Sequence, residues 1–197
     1  MGTFMKSRQR RTGFTLVEAM VSLAILGIAG SAALLSLSQS VQTIDTNIRS
    51  QMALGLAEQL LDEQSGKLYM ASGDNPYDTS LGPSSAEQGL PGRQYNDIDD
   101  YNGYKAQPPT DWWGVALTTD DGDGSTRDPA FQMPSGTMSR WHQQVTVCYV
   151  GDSALATPIS GTSNYRLSTV QILYDDPVKG TMVLATLSRA FTYVPTP

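Results

Sequence analysis

The 197-residue sequence predicts an α+β protein, with one long N-terminal helix packed on a C-terminal antiparallel sheet and a long irregular loop between them. Three observations carry this prediction. Phe14 to Leu68 contains no proline and keeps a helical apolar spacing. Residues 69–140 are crowded with turn-forming residues. From Trp141 onward, apolar and polar residues alternate with period two.

The helix divides by composition. From Phe14 to Leu37 there are 24 residues whose only ionisable side chain is Glu18. As a helix they would extend about 36 Å at ~1.5 Å per residue, enough to cross a bilayer. Lys6, Arg8, Arg10 and Arg11 precede them, and residues 1–13 hold no acid. Basic flanks stay inside, so the short N-terminus is expected in the cytoplasm and everything after Leu37 outside. The small residues Ala29, Gly30 and Ser31 form a loose signal-peptidase site, and a plain signal anchor also fits the length. Neither accounts for Glu18, whose charge at a bilayer centre costs about 2.5 to 3.5 kcal/mol on insertion scales. Thr15-Leu16-Val17-Glu18 also spells a capping box. That local role explains the glutamate but leaves behind it a helix apolar on every face, which belongs in a membrane or a large core.

Residues 38–68 continue as an amphipathic helix, with Val41, Ile44, Ile48, Met52, Leu56 and Leu60 on one stripe and Asp45, Arg49 and Glu63 off it. The stripe is expected to pack on the sheet. Residues 69–140 carry successive turn signals, among them "SGDNPYD", "LPGRQYNDIDDYNGY" and "QPPTDWWG". Their aromatics, Tyr95, Tyr101, Tyr104, Trp112 and Trp113, are expected to clamp the loop onto the sheet. Residues 141–197 read as three antiparallel strands, Trp141–Val150, Tyr165–Tyr174 and Thr181–Val194, with Asp175 to Gly180 turning the last pair. Alternation places Val145, Val147 and Tyr149 on one face, and likewise Val183, Ala185 and Leu187.

Composition narrows the function. The formal charge is −6, and outside residues 1–13 nine basic residues face all 19 acidic ones. A body this acidic would be repelled by phosphates, so no nucleic-acid partner is expected. Cys148 is the single cysteine and forms no intrachain disulfide. His142 is the single histidine, at a strand start, where a partly exposed structural role is expected. "GDSAL", Gly151 to Leu155, is similar to an esterase nucleophile block, but no histidine follows Ser153 to serve as its base. No catalytic residues and no required cofactor are therefore expected. One calcium candidate exists, because Asp121, Asp123, Ser125 and Asp128 place oxygens at near-alternate positions in "TTDDGDGSTRD". The turn glycine and the closing glutamate of a full EF-hand loop are missing.

Gly13-Phe14-Thr15-Leu16-Val17-Glu18, after a short basic leader and ahead of an apolar helix, strongly resembles the class III signal peptide of type IV pilins and type II secretion pseudopilins. The resemblance implies a pilin fold and cleavage of a leader, residues 1–13, by a prepilin peptidase after Gly13, with N-methylation of Phe14. It implies that Glu18 pairs with the new amine of a neighbouring subunit during assembly. It further implies other pilin or pseudopilin subunits, an inner-membrane assembly platform and membrane lipid as partners. The chain would be a single-pass protein of the bacterial inner membrane, with its C-terminal domain periplasmic or extracellular until it joins a filament. Many major pilins carry a proline midway through the anchor. This chain has Leu35 and its neighbours there, and "AEQLLDE", Ala57 to Glu63, is similar to minor pilins and minor pseudopilins. A different class remains open, an anchored extracytoplasmic binding module that does not polymerise.

Overall fold

A computed structural model describes residues 13–195. The basic leader lies outside the described residues, except for Gly13. Helix α1 runs Leu16–Ser65, and the chain divides into two compact units at Asn47/Ile48. The expected Phe14–Leu68 helix is shorter at both ends, because Thr15 caps its start and Gly66 follows its last turn.

Within the first unit, every described residue from Gly13 to Asn47 is exposed. Val41 and Ile44 are among them, so this part of the expected stripe is exposed. In the second unit the stripe does bury, with Met52 against the core and Leu56 and Leu60 inside it. Ala53 and Ala57 are fully buried beside them, and as small side chains they let the helix backbone approach closely. Ile48 is a correction to the sequence expectation, since it stays 53% exposed. The Arg49 guanidinium already lies 4.8 Å from the Tyr174 ring near the end of a strand, leaving Ile48 little sheet to meet.

The sheet has five strands rather than three: β1 (Lys105–Ala106), β2 (Trp141–Gly151), β3 (Ala154–Pro158), β4 (Tyr165–Asp176) and β5 (Gly180–Thr192). The order is β1-β2-β4-β5, with β3 pairing on β2, and every pairing is antiparallel. Two residues are too few for β1 to show a period. All of β3 is exposed, so it shows no apolar alternation.

Strands β2 and β4 place Val145, Val147, Val170 and Ile172 in the core, with Val145 opposite Val170. Val145, Val147 and Tyr149 share the inner face as expected, and all three are buried. Val183 does not join Ala185 and Leu187. A β-bulge pairs Leu173 with Val183 and Ile172 with Ala185, skipping Leu184, so Val183 turns outward and is exposed. One extra residue flips every side chain beyond it.

The loop between helix and sheet is folded. It contains 3-10 turns at Gly92–Gln94, Asp99–Tyr101 and Pro129–Phe131. Tyr95 and Tyr101 are buried in edge-to-face contact at 5.0 Å, with Tyr104 packed against them. Tyr101 donates to Glu63 Oε1 at 2.5 Å, and Lys67 Nζ donates to the Gly92 and Tyr95 carbonyls at 2.7 Å each. A side chain at Gly92 would collide with the Glu63 carboxylate, so this glycine lets the loop close on the helix. Trp112 and Trp113 depart from the expected clamp. They are 45% and 38% exposed, and sit beside Lys67 and Arg93.

Candidate functional site

The N-terminal segment is organised by local forces. Glu18 N–H donates to Thr15 Oγ1 at 3.2 Å, and the Thr15 N–H and hydroxyl both donate to Glu18 Oε2 at 3.0 Å. This is a capping box, in which side chains satisfy backbone donors that the first helical turn leaves open. It also places a carboxylate at the positive pole of the helix, where negative charge is favoured. Only Oε2 is used. Oε1 has no hydrogen-bond partner among the described residues, and the side chain is exposed, so a cationic partner can reach it.

Phe14 is 75% exposed, and among the described residues no atom beyond its chain neighbours lies within 4 Å of where a Cβ on Gly13 would sit. Among the described residues, no packing requires glycine at 13. Behind the cap, α1 is long and apolar enough to cross a membrane, and its apolar span is unburied within the chain. The structure thus brings Gly13, Phe14 and Glu18 together within one exposed helix start.

Residues 8–34 match the family model described as the prokaryotic N-terminal methylation motif. No curated protein and no solved structure matches the chain. The match supports the type IV pilin and pseudopilin family, whose members a prepilin peptidase processes, and the fold of a long N-terminal helix on an antiparallel sheet agrees with it. The exposed apolar helix together with this motif indicates single-pass membrane anchoring.

The remaining sequence candidates lie elsewhere. Asp121 Oδ1 accepts the Asp123 and Ser125 amides at 3.2 and 3.1 Å, Asp123 Oδ1 accepts the Ser125 amide at 3.0 Å, and Asp128 Oδ1 accepts the Ala130 amide at 2.9 Å. These oxygens stabilise turns. Among the described residues, no three His, Cys, Asp or Glu side chains are grouped to hold a metal. His142 Nε2 bonds Asp175 Oδ2 at 2.5 Å, half-buried at the start of β2. Cys148 is half-buried, and burial pushes its thiol pKa up, away from reactivity.

Sequence reading missed one charged centre. Arg166, on β4, is 1% exposed and pairs with Asp99 at 2.6 Å. Its guanidinium also donates to the Tyr69 carbonyl, lies 4.3 Å from the Tyr69 ring, and meets Tyr149 Oη at 3.3 Å. Beside it, Asp97 Oδ1 accepts the Asp99 and Asp100 amides, while Asp100 Oδ2 accepts those of Asn96 and Asp97. The D-x-x-D spacing of "NDIDD" was the available signal, a reciprocal cap built like S/T-x-x-E.

Burial, then the Asp99 side chain, pushes the Asp97 carboxyl up to about 7. Burial, then the charge of Asp97, pushes Asp100 up to about 6. Both values lie above the roughly 4 of an unfolded aspartate, so the folded chain holds protons that the unfolded chain releases. Their contribution to stability is therefore present below about pH 4 and lost as pH rises through about 6 to 7. Thermal melts from pH 4.5 to 7.5 should show this decline in the wild type, and Asp97→Asn should flatten it. A wild type whose melting temperature rises across that window would contradict the assignment.

Proposed function

We propose that the chain is a minor pilin or minor pseudopilin, cut after Gly13, methylated at Phe14 and inserted into a type IV pilus or a type II secretion pseudopilus. The methylation motif at residues 8–34 carries this reading. Three features of the helix start support it. Among the described residues nothing packs against Gly13, which leaves its backbone open to a processing enzyme. Glu18 keeps Oε1 open to a partner. Gly27 and Gly30 each cost the helix about 1 kcal/mol relative to alanine. Among the described residues no packing repays them, whereas close contact with neighbouring helices would.

The mechanism is mechanical rather than catalytic. The helix rests in the inner membrane, with the C-terminal domain periplasmic, until an assembly platform moves it into a filament core. Extraction is feasible because neighbouring helices replace lipid with an equally dry surround. Glu18 then meets the amine of Phe14 on an adjoining subunit. A charge pair at about 4 Å in a low dielectric is worth several kcal/mol and offsets the desolvation of the carboxylate. No bound cofactor is needed.

Mass spectrometry of the N-terminus of the mature protein tests the reading. A chain beginning at methylated Phe14 is expected, and one beginning near Ser31 would replace this reading with cleavage by signal peptidase.

A further inference from the structure

A cleft of about 830 Å³ lies between β1 and the loop segments 83–91 and 110–116. Its size falls within the roughly 300–1,000 Å³ of small-molecule sites. Leu90, Pro91, Tyr104 and Pro108 give it apolar surfaces. Trp113 forms a further wall, with the Arg93 guanidinium 5.1 Å from its ring centre and Gly124 so close that a Cβ there would collide with the indole. That packing fixes the indole before any ligand arrives.

Two features of the cleft are left unused by the fold. The first is a hydroxyl. Tyr95 is the one buried residue among those lining the cleft, and its hydroxyl has no hydrogen-bond partner among the described residues. Buried polar groups ordinarily find partners, and those of its neighbours do: Tyr104 Oη meets Thr110 Oγ1 at 2.9 Å, and Tyr101 donates to Glu63. Burial raises the Tyr95 pKa, so the hydroxyl keeps its proton and can donate. The second is charge. Outside residues 1–13 nine basic residues face 19 acidic ones, yet no residue lining the cleft is acidic. Lys105 lines it and Arg93 adjoins it through Trp113. Both are exposed, and neither has an ion pair among the described residues.

We propose that this cleft binds a sugar acid, a pyranose bearing one carboxylate, either free or at the end of a short neutral glycan. The C–H face of such a ring packs on the proline and tyrosine surfaces. Its hydroxyls both donate and accept, which suits the Tyr95 hydroxyl and the Gln88 amide, whose side chain makes no hydrogen bond among the described residues. Its carboxylate meets Lys105 in a charge-assisted hydrogen bond. An extended peptide fits less well. Strand β1 is two residues long, and the adjoining Tyr104 carbonyl already accepts the Val145 amide, so Lys105 alone can turn its backbone outward as a ladder partner. A nucleic acid or a long polyuronate would set its remaining charges against the acidic body. The assignment stands apart from the role of the helix start.

The test uses the full chain in a detergent without a sugar head group, titrated with D-glucuronic acid, with a disaccharide of glucuronic acid and glucose, and with neutral cellobiose. Tryptophan fluorescence and saturation-transfer NMR follow binding. Both uronates are expected to saturate with a Kd of about 1 mM, and cellobiose to bind at least ~10-fold more weakly. A tighter disaccharide assigns the end of a glycan, and equal affinities assign the free acid. Tyr95→Phe deletes one oxygen and should weaken both uronates by roughly threefold to tenfold. Lys105→Met keeps an apolar stem, removes the charge, and should weaken the uronates about fivefold while leaving cellobiose unchanged. Lys179→Met, in the turn between β4 and β5, should change nothing. Melting temperatures close to wild type show that each variant is folded. The proposal is overturned if no uronate saturates by about 10 mM, or if cellobiose binds as tightly as they do. It is equally overturned if Tyr95→Phe and Lys105→Met both leave the affinity unchanged, or if capped tetraglutamate binds more tightly than the disaccharide, which would make the cleft a peptide site.

Discussion

Replacing Glu18 with Ala is expected to leave cleavage and methylation intact while removing the chain from assembled filaments. The carboxylate is exposed in the single chain, so its loss removes from the isolated fold only its half of a capping box. On the proposed assembly, the same change would leave the Phe14 ammonium of a neighbour buried without a counter-charge. Breaking a buried pair in this way costs about 3 to 5 kcal/mol, and each ~1.4 kcal/mol is tenfold in an equilibrium, so incorporation should fall more than 100-fold. Immunoblotting of sheared filaments against the membrane fraction measures this. Thr15→Ala is the matched control, because it removes the cap and keeps the charge, and incorporation should survive. If the Glu18→Ala chain joins filaments as the wild type does, Glu18 is only a cap, and the reading of an anchored, non-polymerising module gains ground.

Arg166→Ala is expected to be the most damaging single change in the C-terminal domain. It removes a buried guanidinium that joins β4 to the loop through Asp99 and Tyr69. Asp99 is left largely buried with no counter-ion, which places the loss in the range of about 3 to 5 kcal/mol for a broken buried pair. For a domain of this size a melting temperature lower by roughly 10 °C follows, measured by circular dichroism of the full chain. Asp99→Asn should cost less, because the amide still accepts a hydrogen bond from Arg166. If Arg166→Ala melts within a degree or two of wild type, the guanidinium does not join strand to loop as described.

The contrast between these two centres shows what was legible in the sequence. Glu18 stood out because an acid in a 24-residue apolar run contradicts its surroundings, and contradictions of local context can be read from one chain. The three long strands were legible because each buries one face and so must alternate. Arg166 was not legible. Its partner Asp99 lies 67 positions earlier in the chain, and a single arginine in an alternating strand looks like any solvent-facing cation. Val183 was misplaced for a related reason, since a bulge at Leu184 has no compositional marker and is decided by pairing with β4. The amphipathic stripe set the correct face of α1 but not its buried length.

The capping arrangement at Thr15 has one last implication. The first backbone bond of the helix runs from the Ala19 amide to the Thr15 carbonyl, and no hydrogen bond among the described residues involves Gly13 or Phe14. Among the described residues, the hydrogen bonds that begin the helix therefore do not run through the peptide link between those two residues. Maturation at that bond would change what the molecule can join without changing how it holds itself together.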